Sequence, residues 1–239
     1  MYNNYFFYKK IMNNLNSQIW KNTNKIDKDV REKLLNVAKI FLKTIETPIE
    51  LENIFLTGSL ATYVWTPMSD LDLHIIVKVL DEKCITTISD YFETKSKNFN
   101  INHFIEIRGY KVEVNIRTEE VERTGKAIYD LLENSWVTKP IKPERTMEDH
   151  DVLTMVSRFQ YDIDSAINNQ QDLDFFKDVR KEIKQLRIDG LRDEGEYSIG
   201  NLVFKSLRNS GHIEKLLNVC KNLEDKSVSL ESFKDYLYR

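Results

Sequence analysis

Residues 54 to 77 read Ile-Phe-Leu-Thr-Gly-Ser-Leu-Ala-Thr-Tyr-Val-Trp-Thr-Pro-Met-Ser-Asp-Leu-Asp-Leu-His-Ile-Ile-Val, and the rest of the chain is organised around them. One apolar run ends at Gly58-Ser59 and a second opens with Asp70-Leu71-Asp72. Successive side chains of an extended strand point to opposite faces, so Asp70 and Asp72 share one face and Leu71 and Leu73 the other. Two carboxylates held side by side repel each other unless a hard cation lies between their oxygens. Mg²⁺ suits such a place, taking few carboxylates and completing its shell with waters and substrate phosphates. At Gly58 the missing Cβ lets backbone N–H groups approach an anion. A short helix through Leu60, Ala61 and Tyr63 would add the partial positive charge of its N-terminus.

A third acid follows further on. In Tyr110-Lys-Val-Glu-Val-Asn-Ile-Arg117, Val112, Val114 and Ile116 alternate with polar residues, which predicts a half-buried strand whose only acid is Glu113. His74, two residues beyond Asp72, shares the face of the pair; a histidine there is more often hydrogen-bonded beneath a site than catalytic. An Asp-x-Asp alone is common in surface turns. Joined to Gly-Ser at this spacing and to a later acidic strand, it points to a site.

Gly58-Ser59, ten intervening residues and Asp70-Leu71-Asp72 resemble the signature of the DNA polymerase β-like nucleotidyltransferase superfamily. More loosely, the chain from about Ile19 onward is similar to uncharacterised nucleotidyltransferase-like proteins encoded by bacteriophages. The resemblance implies an α+β fold, in which a small mixed β-sheet nucleotidyltransferase core with flanking helices is joined to an all-helical C-terminal domain. It also implies transfer of a nucleoside monophosphate from an NTP to an acceptor, with release of pyrophosphate. Asp70, Asp72 and Glu113 would hold Mg²⁺, with Mn²⁺ as its substitute, in a two-metal arrangement, and would be the catalytic residues. Gly58, Ser59 and Ser69 would bind the nucleotide. Two departures stand out. Glu113 replaces the Asp that many relatives carry, and Thr62-Tyr63 stands where minimal members carry an Arg. No Arg occurs between residues 32 and 107.

The 239 residues suffice for one large or two small domains, and two are expected: a core over 26–118 and a helical domain over 144–239, with 1–25 as a flexible arm or a short segment docked on its own domain and 119–143 as a connector. Hydrophobic residues make up 41% of the chain and no apolar run spans a bilayer, which argues against a membrane protein. The N-terminal residues show no secretory pattern. Cys84 and Cys220 have no metal-binding or disulfide spacing, so a reducing cytoplasm is expected, that of the host for a phage-encoded chain. A net charge of −3 gives no global case for nucleic-acid binding.

Along the chain, Val30, Leu34, Val37, Ala38, Phe41 and Leu42 predict a helix that begins near Asp27 and is ended by Pro48. Strands are expected at 52–57, 70–79 and 101–107, with a turn at Arg108-Gly109 leading into the Glu113 strand. Helices are expected at 82–98 and around 127–132. Beyond Glu144 the spacing predicts helices over 147–169, 173–190, 198–209, 211–224 and 229–238. Asn201, Lys205 and Arg208 recur at helical spacing and, with Lys139, are candidate nucleotide-binding residues, although a solvated face is the ordinary explanation. Arg180, Lys181, Lys184 and Arg187 form a second basic run, usually a sign of solvation. The basic faces and the aromatic N-terminus slightly favour an RNA 3′ end as acceptor, ahead of a protein side chain or small hydroxylated molecule. The competing expectation is a nucleotide-binding, antitoxin-like or regulatory protein without catalysis.

Overall fold

The computed structural model describes residues 14–22, 25–80, 88–118, 127–142 and 145–227. The expected helix over 229–238, Cys84 and the aromatic residues 2–8 lie outside them. The chain divides into two compact units, 1–143 and 144–239.

In the first unit, β1 (Trp20–Asn22) and β2 (Lys25–Ile26) form a hairpin leading into α1 (Lys28–Leu42). The Asp27 side chain caps α1 by accepting from the N–H groups of Asp29 and Val30, at 2.9 and 3.3 Å. Val30, Leu34, Val37, Ala38 and Phe41 form its buried stripe. The helix ends well before Pro48. Thr44 closes it, giving both its N–H and its hydroxyl to the Phe41 carbonyl at 2.8 and 2.7 Å.

The sheet contains β3 (Ile49–Thr57), β4 (Leu71–Val79), β5 (Glu106–Ile107), β6 (Tyr110–Arg117), β7 (Ile128–Asp130) and β8 (Ser135–Thr138), in the order β5-β6-β4-β3-β7-β8. Only β4 and β6 run parallel among its pairs. The crossover between them is made by α2 (Ile88–Asn102). The Asn100 amide bonds both the N–H and the carbonyl of Val114 at 2.9 Å, clamping that helix to β6. One face of the central strands is apolar throughout: Leu71, Leu73, Ile75, Val77 and Val114 are fully buried.

Two expectations change here. The strand expected over 101–107 shrinks to Glu106–Ile107, because α2 continues to Asn102 with Phe92, Ser96 and Phe99 buried along one stripe. The hairpin turn at Arg108-Gly109 is present, with φ of 56° and 80°. The helix expected around 127–132 is instead strand β7 and a turn. Ile128, Tyr129 and Leu131 are all buried, leaving no solvated helix face, and Asp130 Oδ1 accepts from the N–H groups of Leu132 and Glu133 at 2.8 and 2.9 Å. Residues 14–22 pack on this unit, as a docked segment would. Trp20 stacks on Trp136 at 4.6 Å and meets Tyr129 edge-on at 5.0 Å.

The second unit contains α3 (His150–Asn168), α4 (Leu173–Asp193), α5 (Ile199–Asn209) and α6 (His212–Ser227). Asp172 and Ser198 cap α4 and α5 through the N–H groups of Phe175 and Asn201, at 3.0 and 3.3 Å. Buried residues occur nearly all round α5, which makes it the central helix of this unit. It touches α4 at backbone distance: a β-carbon on Gly200 would lie 2.0 Å from the Leu186 carbonyl oxygen.

Candidate active site

The site grows from the ends of three neighbouring strands. Thr57, the last residue of β3, stands opposite Asp72, and Asp72 stands beside Glu113 in the parallel register of β4 and β6. Asp70 immediately precedes β4. Asp70, Asp72 and Glu113 are half-buried, whereas Leu71, Leu73 and Val112 between them are buried, as the alternation of a strand requires. His74 follows on the same face, paired with Asn115.

Between β3 and β4 the chain turns at Gly58, whose φ of 74° belongs to the left-handed region that glycine enters without a steric penalty. The helix expected through Tyr63 is a single 3₁₀ turn, Ser59–Ala61, closed by N–H bonds from Ala61 to the Gly58 carbonyl and from Thr62 to that of Ser59, both at 3.0 Å. One turn supplies little macrodipole. An anion here would depend on local N–H groups instead.

Ser59 and Ser69 come together across the connecting loop. Their hydroxyls are 2.8 Å apart, and Ser69 Oγ also accepts from the Thr66 N–H at 2.9 Å. Thr66 and Ser69 are buried, and this bond holds the loop that leads into Asp70. The N-terminal segment braces the loop from outside. Trp20 Nε1–H donates to the Leu60 carbonyl at 2.7 Å, Trp65 Nε1–H to the Asn14 carbonyl at 2.9 Å, and the Asn16 amide to the Tyr110 hydroxyl at 2.7 Å. Burial pushes the Tyr110 phenol above its ordinary pKa, against the lowering effect of the Asn16 bond, and keeps it neutral. Sequence reasoning missed these supports. Trp20 was the available signal, an isolated tryptophan in a stretch otherwise lacking period.

Lys111 was not anticipated either. Its Nζ lies 3.2 Å from Glu113 Oε1, both side chains being partly exposed. Among the described residues, no three His, Cys, Asp or Glu side chains gather into a group that could hold a metal ion. The donor chemistry of Asp70, Asp72 and Glu113 nonetheless fits a hard divalent cation, since all three offer carboxylate oxygens.

The remaining candidates are distributed differently. Lys139 is exposed just beyond β8. In the helical unit Asn201 and Lys205 are buried, at 1% and 4% exposure, so theirs is not a solvated face. Asn201 joins two elements, its Nδ2 donating to the Glu196 carbonyl at 2.7 Å and its Oδ1 accepting from Arg187 Nε at 3.3 Å. Arg208, half-buried, has Cζ 6.0 Å from the Phe204 ring, and Arg187 lies over the same ring at 4.1 Å. A cavity of about 440 Å³ opens between α4, α5 and α6, floored by Ile183, Phe204 and Leu216 and edged by Arg180 and Lys184. Cys220, buried in the same unit, has its thiol pKa raised by desolvation and is chemically quiet.

This arrangement, a Gly-Ser turn facing carboxylates at the start of parallel strands, defines the class to which the first unit is similar. Residues 36–137 match the family model described as nucleotidyltransferase domain, a span that runs from α1 into β8 and holds Gly58, Ser59, Ser69, Asp70, Asp72 and Glu113. No curated protein and no solved structure matches the chain. Among the described residues, no helix is long and apolar enough to cross a membrane.

Proposed function

We propose that the protein is a nucleotidyltransferase that moves a nucleoside monophosphate from an NTP to a hydroxyl acceptor. The observation that carries this reading is the row Thr57, Asp72, Glu113 across β3, β4 and β6, with Asp70 one step before β4 and the Gly58-Ser59 turn against Asp72. In the reaction the acceptor oxygen bonds to the α-phosphorus, the bond from that phosphorus to the bridging oxygen breaks, and pyrophosphate leaves. Glu113 takes the acceptor's proton, and Gly58, Ser59 and Ser69 shape the turn against the triphosphate. Asp70, Asp72 and Glu113 are the residues that would hold Mg²⁺ or Mn²⁺. Such cations supply charge stabilisation to the attacking and leaving oxygens.

For the acceptor we favour an RNA 3′ end over a protein or small-molecule hydroxyl. Exposed Arg180, Lys181 and Lys184 along α4, together with Lys139, support it as cations available to a phosphate backbone. Burial of Asn201 and Lys205 leaves these two, with Arg208, a role in shaping the helical unit itself.

A second reading has its own observation. Glu113 is engaged by Lys111, which suits a protein of this fold that binds nucleotide without turning it over, in an antitoxin-like or regulatory role. One experiment separates the two. Purified protein is incubated with Mg²⁺ or Mn²⁺, each labelled NTP in turn, and total RNA and protein, beside an Asp70→Asn/Asp72→Asn control. Label transfer and pyrophosphate release, lost by at least about a hundredfold in the control, are expected, since even outer partners of metal ligands cost 10–100-fold. Metal-dependent NTP binding with no transfer to any acceptor would select the second reading.

A further inference from the structure

We propose that Lys111 is an exchangeable counterion of this site, bonded to Glu113 in the structure and to the phosphates of the nucleotide when these enter. The inference rests on the nucleotidyltransferase reading and adds to it the residue that receives the triphosphate charge.

The starting point is how few cations the described segments that build the site carry. Residues 58–73, which form the turn and deliver both aspartates, contain neither Lys nor Arg. An NTP brings several negative charges toward a row that is itself acidic, so a cation of the protein nearby would ease its entry beside any bound metal. On the strands that build the site, Lys78 and Arg117 lie toward the ends of β4 and β6 remote from it. Lys111 lies at the near end. In the parallel register Leu71 pairs with Val112, so Asp70 and Lys111 each stand one residue before that pair. Lys111 and Glu113 are separated by Val112, whose burial puts the two polar side chains on one face of β6, the face of Asp72.

The Lys111–Glu113 contact is suited to exchange. Its 3.2 Å separation is that of a hydrogen-bonded ion pair, yet the side chains remain 40% and 38% exposed, and pairs so hydrated are weakly held. Lysine presents a compact charge on a flexible four-carbon stem, so its head can swing from a carboxylate to a neighbouring phosphate without movement of β6. While the ammonium holds Oε1, Glu113 is committed to it. Once the ammonium turns to phosphate, the carboxylate is released to act beside Asp72. Nucleotide entry would thereby complete the acidic row, linking substrate binding to assembly of the site.

The test compares the wild-type chain with Lys111→Met, which keeps the stem and removes the charge, and Lys111→Arg, which keeps the charge. Mn²⁺ binding without nucleotide is read by electron paramagnetic resonance, and binding of a non-hydrolysable NTP analogue with Mg²⁺ by calorimetry. In Lys111→Met, Mn²⁺ should bind about threefold more tightly, because a weak exposed pair no longer competes for Glu113. The analogue should bind roughly tenfold more weakly, having lost a charged hydrogen bond. Lys111→Arg should return both toward wild type. A folding defect cannot produce these opposite signs. If the wild type binds both probes and Lys111→Met leaves both unchanged, or weakens both, the exchange is overturned and the nucleotidyltransferase reading stands. If the wild type binds neither, that reading falls and this inference with it.

Discussion

Gly58 lies against the Asp72 carboxylate so closely that a β-carbon on it would fall 1.7 Å from Oδ2 and 2.7 Å from Cγ. The turn and the acid are therefore one unit. Glycine is required twice at this position, for the φ of 74° and for the space that the carboxylate occupies.

Gly58→Ala should act on both at once. The left-handed backbone is strained for alanine, and the methyl group must displace Asp72, so a stability loss of about 1–3 kcal/mol is expected. Mn²⁺ binding should fall more than the melting temperature alone would explain. A variant that melts a few degrees lower but binds Mn²⁺ normally would show that Asp72 can move aside without cost to the site.

How much of this was legible beforehand follows from what each feature depends on. The Gly-Ser turn, the Asp pair and the Glu113 strand are local patterns, and a period of two in side-chain direction places them without tertiary information. The adjacency of Asp72 and Glu113 is a matter of strand order, which pattern does not fix. Residues 127–132 misled because Ala127, Ile128, Leu131 and Leu132 have helical spacing, while the burial of every residue from Ala127 to Leu131 was set by β3 and the Trp20 cluster. The Asn201, Lys205 and Arg208 face looked solvated by residue type. Burial of polar side chains is decided by partners, here Arg187 and the Glu196 carbonyl for Asn201, and spacing along one helix says nothing of partners.

Trp20 is the next test, since its indole N–H reaches the Leu60 carbonyl one residue past Ser59. Trp20→Phe retains most of the aromatic packing on Trp136 and Tyr129 but removes that donor. Loss of one buried hydrogen bond should cost about 0.5–1.5 kcal/mol, with a further contribution from the smaller ring. The functional expectation is a weaker NTP analogue affinity, because the Gly58–Ala61 turn loses its outer support. Unchanged affinity alongside reduced stability would confine Trp20 to the core.

Ser59 and Ser69 share one hydroxyl contact but should respond unequally to alanine. Ser69→Ala also strips the Thr66 N–H of its acceptor in a buried place, and a buried donor without a partner costs about 1–3 kcal/mol. Ser59 is half-buried and its loss leaves the Thr66–Ser69 bond intact. The order of melting temperatures should therefore be wild type, then Ser59→Ala, then Ser69→Ala. In nucleotide binding the two variants should exchange places, with Ser59→Ala the weaker binder, if Ser59 faces the phosphates directly. The same ranking in both measurements would assign both serines to loop support.

In the helical unit, Asp164 on α3 meets Lys215 Nζ at 2.6 Å and His212 Nε2 at 3.7 Å, both on α6. The hydrogen bond from Lys215 holds the Asp164 carboxyl below its ordinary pKa, partly opposed by desolvation and helped by the charges of Lys215 and His212. A carboxylate whose folded-state pKa is depressed contributes stability that is fully present above its unfolded value, about 3.9, and disappears as pH falls through the folded one. Its side chain is 46% exposed, so solvent limits the contribution to at most about 1 kcal/mol. Asp164→Asn should therefore lower the urea midpoint at pH 7, and the gap to wild type should close progressively below pH 4. High salt should narrow the gap at pH 7 as well. A gap that persists undiminished in strong acid would mean that the pairing of α3 with α6 depends on side-chain shape at Asp164 and not on its charge.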